Sequence, residues 1–298
     1  MKVNHMWRLI PAAALLIGVL ESGCTERVID SSQNESSQPR QSGPISLVPS
    51  FAYPLTPGVT WEYAETLRFF STEGDFDYVE PRIRTIEGMG LETLPNGQVA
   101  FRMQEVLTDW LNVYETNDFL TNEPSGLYYH GWAQQWPQPL NIKPQFRLQF
   151  GGETFNSYSE LRDRYLTKLS SERDEIYDPP RKVLEYPMEV GNSWTYCRRS
   201  NPFGIDKEVT AYRPVTVAAG AFDAYQVLWK YDLDGTGSYT DQVMVWDEIS
   251  SSGLLSRRIV FTGMKQVNDK GEVTATLNST EESWLTRITS RNAAVVTR

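Results

Sequence analysis

The segment YPLTPGVTWEY at residues 53–63 returns, with changes, as YPMEVGNSWTY at residues 186–196. Five of the eleven positions are identical (Tyr, Pro, Gly, Trp and Tyr), and Leu at the third position corresponds to Met. Glycine permits a tight turn, and the Trp and Tyr that follow it lie two residues apart, so that both point to one face of a β-strand. Each copy therefore predicts a turn followed by a strand whose large rings seal the edge of a sheet.

The two copies begin 133 residues apart, which is about the length of a small domain and far longer than a solenoid repeat. This spacing predicts two related halves, residues 51–180 and residues 181–298. Shorter matches keep the same order along the chain: AFRM at 100–103 with AYQV at 224–227, and SGL at 125–127 with SGL at 252–254.

Strand signals dominate both halves. Residues 225–231 and 239–246 form a predicted hairpin around Asp234-Gly235, and residues 254–267 and 273–277 form another around a turn at 268–271. The fold expected from these signals is mainly β. Two related antiparallel β meanders pack as a curved-sheet, sandwich or half-barrel body, with at most one or two short helices.

One stretch favours a helix. Residues 159–169 place Leu161, Tyr165 and Leu169 on one face, and Ser157 or Ser159 can cap the first turn. The Asp178-Pro179-Pro180 sequence after it is expected to break the chain and to mark the boundary between the halves.

The N-terminus carries the features of an export signal. Lys2 and Arg8 precede an apolar run at residues 9–20, which is too short to form a stable membrane span. Ser22-Gly23-Cys24 then resembles the lipobox of bacterial lipoproteins, although Glu21 stands where that motif usually has an aliphatic residue. The resemblance implies cleavage of a signal peptide, residues 1–23, and acylation of Cys24 by fatty acids such as palmitate; simple secretion and an uncleaved anchor are the alternatives.

Residues 24–50 are rich in Ser, Gln, Asn and Pro, and this composition predicts a flexible tether. The lipid would hold the protein at the bacterial cell envelope. With Thr25 rather than Asp after Cys24, the resemblance implies the outer membrane if the organism is Gram-negative.

The charge of the chain argues against nucleic acid as a partner. Removing residues 1–23 leaves 26 basic and 37 acidic residues, a net charge of −11. Binding to phosphate backbones or anionic headgroups needs clustered Lys and Arg, which an acidic body does not favour. The expected partners are the membrane, through the lipid, and other envelope proteins.

The residue inventory offers little catalytic chemistry. After the signal peptide the chain contains one histidine, His130, and two cysteines, Cys24 and Cys197. These are too few ligands for a Cys/His zinc site. No nucleophile elbow, phosphate-binding loop or dinucleotide fingerprint is present. No cofactor is expected, Cys197 is expected to be a buried small hydrophobe, and a carboxylate-based hydrolase stays open because acidic residues are abundant.

Two weaker site candidates remain. Asp232, Asp234 and Asp241 lie in a segment that loosely resembles a calcium-binding loop, although a hairpin turn explains the same residues. His130, Trp132 and Trp136 lie in or beside an aromatic, proline-rich stretch, residues 131–146, without clear periodicity. Such rings can line a ligand groove, although a lone His among aromatics is more often a packed residue.

Residues 186–196, followed by the VTVAAGAFDAYQV segment at 215–227, resemble a group of uncharacterised bacterial exported proteins and lipoproteins. Their pattern is roughly P-L-x-x-G-x-x-W-x-Y, then V-x-V-x-A-G-x-F-x-x-Y-x-V. The resemblance implies curved antiparallel sheets and an envelope location, and it carries no catalytic residues.

Three functions are compatible with these features. The first is a non-catalytic, membrane-anchored envelope lipoprotein that acts as an accessory or scaffold component of a cell-envelope assembly. The second is a binding module for a lipid or glycan ligand on a concave β face. The third is a hydrolase that uses two carboxylates in a cleft.

Overall fold

The computed structural model describes residues 51–74, 76–109, 113–136, 147–166, 174–198 and 203–291. These residues form fourteen strands and one helix. The strands are β1 (Val59–Ser71), β2 (Asp77–Thr93), β3 (Val99–Thr108), β4 (Val113–Glu123), β5 (Gly126–Trp136), β6 (Arg147–Phe150), β7 (Glu153–Phe155), β8 (Asp174–Glu185), β9 (Ser193–Arg198), β10 (Gly204–Val217), β11 (Gly220–Asp232), β12 (Thr240–Ser250), β13 (Gly253–Val267) and β14 (Val273–Ser290). The helix α1 spans Tyr158–Leu166.

The strands form one antiparallel sheet in the order β8-β5-β4-β3-β2-β1-β14-β13-β12-β11-β10-β9. The sheet curves so strongly that its two end strands, β8 and β9, meet. At this seam the Trp194 indole donates to the Lys182 carbonyl at 3.1 Å, and Lys207 Nζ donates to the Val183 carbonyl at 3.3 Å. The expected mainly β, curved-sheet fold is confirmed, and the sheet is nearly closed.

Both copies of the opening signature occupy the start of a run of strands. Gly58 and Gly191 have φ of 74° and 95°, a region that favours glycine. Their N–H groups donate to carbonyls of the next strand, Gly88 at 2.7 Å and Val209 at 2.8 Å. The rings that follow are buried on the concave side: Trp61, Tyr63, Trp194 and Tyr196. The two copies therefore form the same turn and bury the same two rings. That the two halves of the chain are related as an internal repeat stays a prediction.

The predicted hairpins are present with longer strands. Residues 225–231 and 239–246 lie in β11 and β12, and the second hairpin becomes β13 and β14. The predicted helix at 159–169 corresponds to α1, and Ser157 caps it by accepting the Glu160 N–H at 3.1 Å.

Two expectations about breaks in the chain were wrong. Pro179 and Pro180 lie inside β8, because an end strand tolerates residues that lack an N–H. The pairing of β8 with β5 skips residues 177–180, which places both prolines where no ladder hydrogen bond is needed. Residues 131–136, expected to be irregular, continue β5. Residues 137–146 lie outside the described residues.

The described residues between β5 and β8, 147–166, pack into the concave interior. Strand β6 extends the sheet beside β13, and α1 follows β7 into the core. The rings of Phe150, Tyr158 and Tyr165 pack edge-on against Phe261, with centroids 5.6–5.9 Å apart. Leu161 on the same helix is fully buried.

Helix α1 also carries a charge into the interior. Arg162 binds Glu281 of β14 through its Nε and Nη2 atoms at 2.8–3.0 Å, and the Glu281 side chain is 2% exposed. Glu65 and Arg84, on β1 and β2, pair at 2.6 Å beside them. The docking of the helix is therefore fixed by a buried ion network as well as by rings.

We expect Arg162→Met to lower the free energy of unfolding by about 3–5 kcal/mol, because it leaves the buried Glu281 carboxylate without its main partner. Arg164→Met on the same helix is the matched control. Arg164 pairs with Glu153 at 2.7 Å, but these side chains are 26% and 42% exposed, so the loss should stay below about 1 kcal/mol. Urea unfolding of both variants measures the difference, and equal losses would contradict a structural role for the Arg162 pair.

Candidate functional site: a charged interior cavity

A cavity of about 180 Å³ lies inside the curved sheet. It is smaller than the roughly 300–1,000 Å³ of sites for drug-sized ligands, so it suits a small molecule. Charged side chains from many elements line it: Arg84 of β2, Glu105 of β3, Asp118 of β4, Arg162 and Asp163 of α1, Lys207 of β10, Asp247 of β12 and Arg257 of β13. Aromatic and aliphatic residues such as Tyr129, Tyr196, Trp229 and Leu254 complete the wall.

One wall is built around Lys207. Its side chain is 1% exposed, and its Nζ lies 3.6 Å from the centroid of the Trp229 ring and 4.2 Å from that of Tyr196. Both ring faces attract a cation, although here the amine is also removed from water. The alternation of β9, β10 and β11 places these three side chains on the concave face.

Next to the lysine, Asp247 is held by three donors. Arg257 reaches it through Nε at 2.6 Å and Nη2 at 2.9 Å, and the Trp229 indole donates at 2.9 Å. Burial by itself would raise the pKa of Asp247, but Arg257, Lys207 and Trp229 outweigh it and hold that pKa below its usual value. Asp247 is therefore a carboxylate at neutral pH.

Burial lowers the pKa of Lys207 to about 7, and nearby Asp247 offsets only part of this effect. The amine is thus close to half neutral at neutral pH. A neutral amine can accept a hydrogen bond as well as donate, whereas the guanidinium of Arg257 beside it only donates.

The opposite wall contains Arg84, Glu105 and Asp118. Arg84 lies 3.6 Å from Glu105, and the Tyr129 hydroxyl donates to Asp118 at 2.8 Å. Burial raises the pKa of Tyr129 well above its usual range, so this hydroxyl keeps its proton. The cavity therefore presents fixed donors and acceptors on both sides.

The N-terminal segment of the folded body contributes to the wall of the same cavity. The Tyr53 N–H donates to the Tyr186 hydroxyl at 2.9 Å, and Asn122 Nδ2 donates to the Tyr53 carbonyl at 2.7 Å. The Tyr53 side chain lines the cavity, and burial raises its pKa to about 12. Phe51 packs against the ring of Tyr225, with centroids 5.5 Å apart.

The structure separates the aromatic site residues predicted from the sequence. Trp132 is 3% exposed in the main core and is not among the residues that line the cavity. His130 is buried elsewhere, with Nε2 2.9 Å from Thr121 Oγ1 and Nδ1 2.9 Å from Gln98 Oε1, and burial lowers its pKa. The side chain of Trp136 lies outside the described residues. A ligand-binding role for these residues stays a prediction, and no open groove is formed by the Trp132 ring.

The three aspartates form hairpin-turn contacts. Asp232 accepts the N–H groups of Gly235 at 2.7 Å and Gly237 at 3.0 Å, and Asp234 accepts the hydroxyl of Thr236 at 2.8 Å. Asp241 is exposed. Among the described residues, no group of three or more His, Cys, Asp or Glu side chains is placed to hold a metal ion. Calcium binding here stays a weak prediction beside the turn that the contacts explain.

Cys24, the predicted lipid attachment site, lies outside the described residues, as do the predicted signal peptide and the whole of the predicted tether. Cys197 is a buried free thiol, as expected. In the described part of the chain, no helix has the length and apolar character needed to cross a membrane.

Sequence reasoning missed the charged cavity residues, although one signal was available. Asp247 follows Val243 and Val245 at the same alternating positions of β12, so an acid stands where the pattern places a core residue. Glu65 falls between Tyr63 and Leu67 in the same way. A charge in the apolar phase of a strand indicates a buried, partnered group.

Comparisons with known proteins give a distant likeness. No protein-family model matches the chain, and no curated protein matches it. A crystal structure from Bacteroides fragilis NCTC 9343, described as a candidate exported protein with a YmcC-like fold, is 14% identical and has a TM-score of 0.33; the match covers 81% of this chain and 100% of that one. A candidate lipoprotein from Parabacteroides distasonis ATCC 8503 is 11% identical with a TM-score of 0.28, covering 80% and 99%. At these TM-scores the likeness carries no conclusion about fold or function.

We expect the stability of the protein to rise as the pH increases from 7 to 9, in part because of Lys207. Its pKa is about 7 in the folded state and about 10.4 when unfolded, so the unfolded state holds the extra proton throughout this window. Lys207→Met removes this contribution. In the free energy of unfolding, measured by urea titration, the wild type should therefore gain on the variant by about 0.7 kcal/mol per pH unit at pH 7, where the folded amine is half protonated, and by nearly 1.4 kcal/mol per pH unit above pH 8. Parallel pH profiles would mean that Lys207 stays charged when folded.

Proposed function

We propose that this protein is a non-catalytic, lipid-anchored protein of the bacterial cell envelope that binds a small polar ligand in its interior cavity. The observation that supports the binding role is the charged cavity, whose donors and acceptors come from strands in both halves of the chain. The features that support the envelope location are the apolar run at 9–20, the Ser22-Gly23-Cys24 motif and the polar tether.

The lining of the cavity favours a glycan or another polar ligand over a lipid. An acyl chain beside Arg84, Lys207 and Asp247 would supply no hydrogen-bond partner of its own and would exclude water from these charged groups, which is costly. A hydroxylated ligand can exchange hydrogen bonds with them and can stack on Trp229. Between the two ligand classes open on a concave β face, the polar one fits better.

The arginine contacts of two buried glutamates, Glu65 and Glu281, support a non-catalytic role. Glu65 and Glu281 both lie within 3.7 Å of the same Arg84 nitrogen, as close as a hydrolase pair would need. Arg162 also binds Glu281, and neither carboxylate lines the cavity. We interpret this pair as part of the structural network that docks α1.

Native mass spectrometry of the full-length protein, purified from its own membranes in mild detergent, tests the binding role. We expect a noncovalent adduct of a small polar molecule, because the cavity offers unsolvated donors and acceptors. Lys207→Met should lose the adduct while remaining folded. Lys230→Met is the matched control, since Lys230 pairs with Glu208 on the surface at 2.9 Å and should keep the adduct. A wild-type protein without any adduct, or carrying a fatty acid in the cavity, would contradict the proposal.

A second candidate is the accessory or scaffold role in an envelope assembly. The outer face of the sheet exposes Val79, Ile83 and Val113 at 55%, 61% and 49%, and Ile83 and Val113 both pair with Thr108 of β3. Neighbouring exposed apolar residues can mark a protein contact. A stoichiometric protein partner in the same mass spectrum would favour this role.

We expect Cys24→Ser to abolish acylation and to release the protein from the membrane fraction, because a single acylated cysteine supplies the predicted anchor. Intact mass and fractionation measure both effects, and density separation of the two membranes tests the outer-membrane location in a Gram-negative host. Cys197→Ser is the control, since Cys197 is a buried thiol that does not belong to the predicted lipobox. A Cys24→Ser protein that stays in the membrane would contradict lipid anchoring.

A further inference from the structure

A second concave site lies on the outer face of the sheet, across β10 to β14. Its volume is about 290 Å³, and it is separated from the interior cavity by the sheet itself, because Glu248 and Ser256 alternate with the inward-facing Asp247 and Arg257. The interior function described above makes no use of it.

The register of the strands explains why a hollow forms here. One row of paired positions runs through Glu248, Ser256 and Trp284 on β12, β13 and β14. The next row runs through Trp246 and Arg258 on β12 and β13. Ser256 is the small residue among large neighbours, so its position forms the floor of the groove.

Two tryptophans stand at opposite sides of this floor. Trp284 is 40% exposed and Trp246 is half-buried, and two strand spacings, about 10 Å, lie between their strands. Tryptophan rings that border a polar hollow offer apolar faces for stacking with a ligand. The Trp284 ring is the more open of the two, since the Arg258 guanidinium lies 5.9 Å from the centroid of the Trp246 ring. The separation is comparable to the length of a short oligosaccharide segment.

The polar groups between the rings are balanced in charge. Arg213 pairs with Glu248 at 2.6 Å, and Arg258 pairs with Glu282 at 3.2 Å. Arg257 also borders the groove, but its guanidinium binds Asp247 inside the sheet. Two arginines and two glutamates leave no net charge, which favours a neutral ligand over an anion or a cation.

One buried acceptor in the groove lacks a donor. Glu248 is 7% exposed, and its Oε1 accepts from Arg213 at 2.6 Å and from Gln226 Nε2 at 3.0 Å. Its Oε2 is buried without a hydrogen-bond partner among the described residues. Such an unmet acceptor is costly, and a hydroxyl-rich ligand can supply the missing donor.

We propose that this outer groove binds a neutral oligosaccharide, which stacks on Trp246 and Trp284 and exchanges hydroxyl hydrogen bonds with Glu248, Arg258 and Glu282. The stacking faces, the neutral charge balance and the unmet acceptor all match a polyhydroxylated ring, and none of them requires the interior cavity to be occupied.

The test uses the full-length protein in mild detergent and a panel of neutral oligosaccharides: hexamers of glucose, xylose, mannose, galactose and N-acetylglucosamine. Isothermal calorimetry measures binding, and tryptophan fluorescence follows it independently. Trp284→Ala should weaken binding of the best oligosaccharide by about tenfold or more, because it removes an exposed stacking face. Ser256→Leu, which fills the floor and keeps both rings, should weaken it as well.

Tyr212→Ala is the matched control, because Tyr212 is a 54% exposed ring that is not among the residues lining the groove. It should leave binding unchanged, and so should Lys207→Met, which alters only the interior cavity. Circular dichroism confirms that each variant is folded. Absence of binding across the panel, equal weakening by Tyr212→Ala, or loss of binding in Lys207→Met instead of Trp284→Ala would overturn the proposal.

Discussion

The pairing of buried charges inside a nearly closed sheet is the constraint on which the rest of this structure depends. Asp247 with Arg257 joins β12 to β13, Glu65 with Arg84 joins β1 to β2, and Glu281 with Arg162 joins β14 to α1. An uncompensated charge in such an interior costs several kcal/mol. Because a shift of one residue in a strand would send each of these groups to the other face, the pairs reinforce the register that the aromatic core also requires.

The same pairing leaves a small polar space where a larger apolar core would otherwise be expected. Lys207 lies between the Trp229 and Tyr196 rings, and its nearest carboxylate, Asp247, is already satisfied by Arg257. A buried amine with so little compensation reduces stability near neutral pH. Buried ionisable groups with strongly shifted pKa values are frequent at binding sites, where a ligand can supply the polar partner that the protein does not.

Much of the fold was predictable from local signals, and the cavity was not. Alternating apolar residues and glycine-containing turns indicated the β11–β12 and β13–β14 hairpins, and the spacing of Leu161 and Tyr165 indicated α1. Pro179 and Pro180 led to the wrong prediction that the chain breaks there. A proline pair is compatible with a strand only when that strand lies at the edge of a sheet, and the position of β8 in the sheet could not be known from the sequence. Lys207 carries the same signal as Asp247 and Glu65, since it falls between Ile205 and Val209 in the apolar phase of β10. The partners of these charges could not have been recognised, because the meeting of β8 with β9, which places the Val183 carbonyl beside Lys207, is a closure that no local pattern encodes.

The ends of the folded body are joined by the sheet. Val59 at the start of β1 pairs with Ser290 at the end of β14, and the Arg291 N–H donates to the Gly58 carbonyl at 2.9 Å. At the opposite side, β8 and β9 are consecutive in the chain and also meet in space. Strand order around the sheet is therefore cyclic with respect to the chain, and its starting point is arbitrary. A short linker from residue 291 to residue 58, with new termini opened at the exposed 268–271 turn, would preserve every strand pairing, because β14 and β1 are already neighbours in a sheet whose strand order closes on itself.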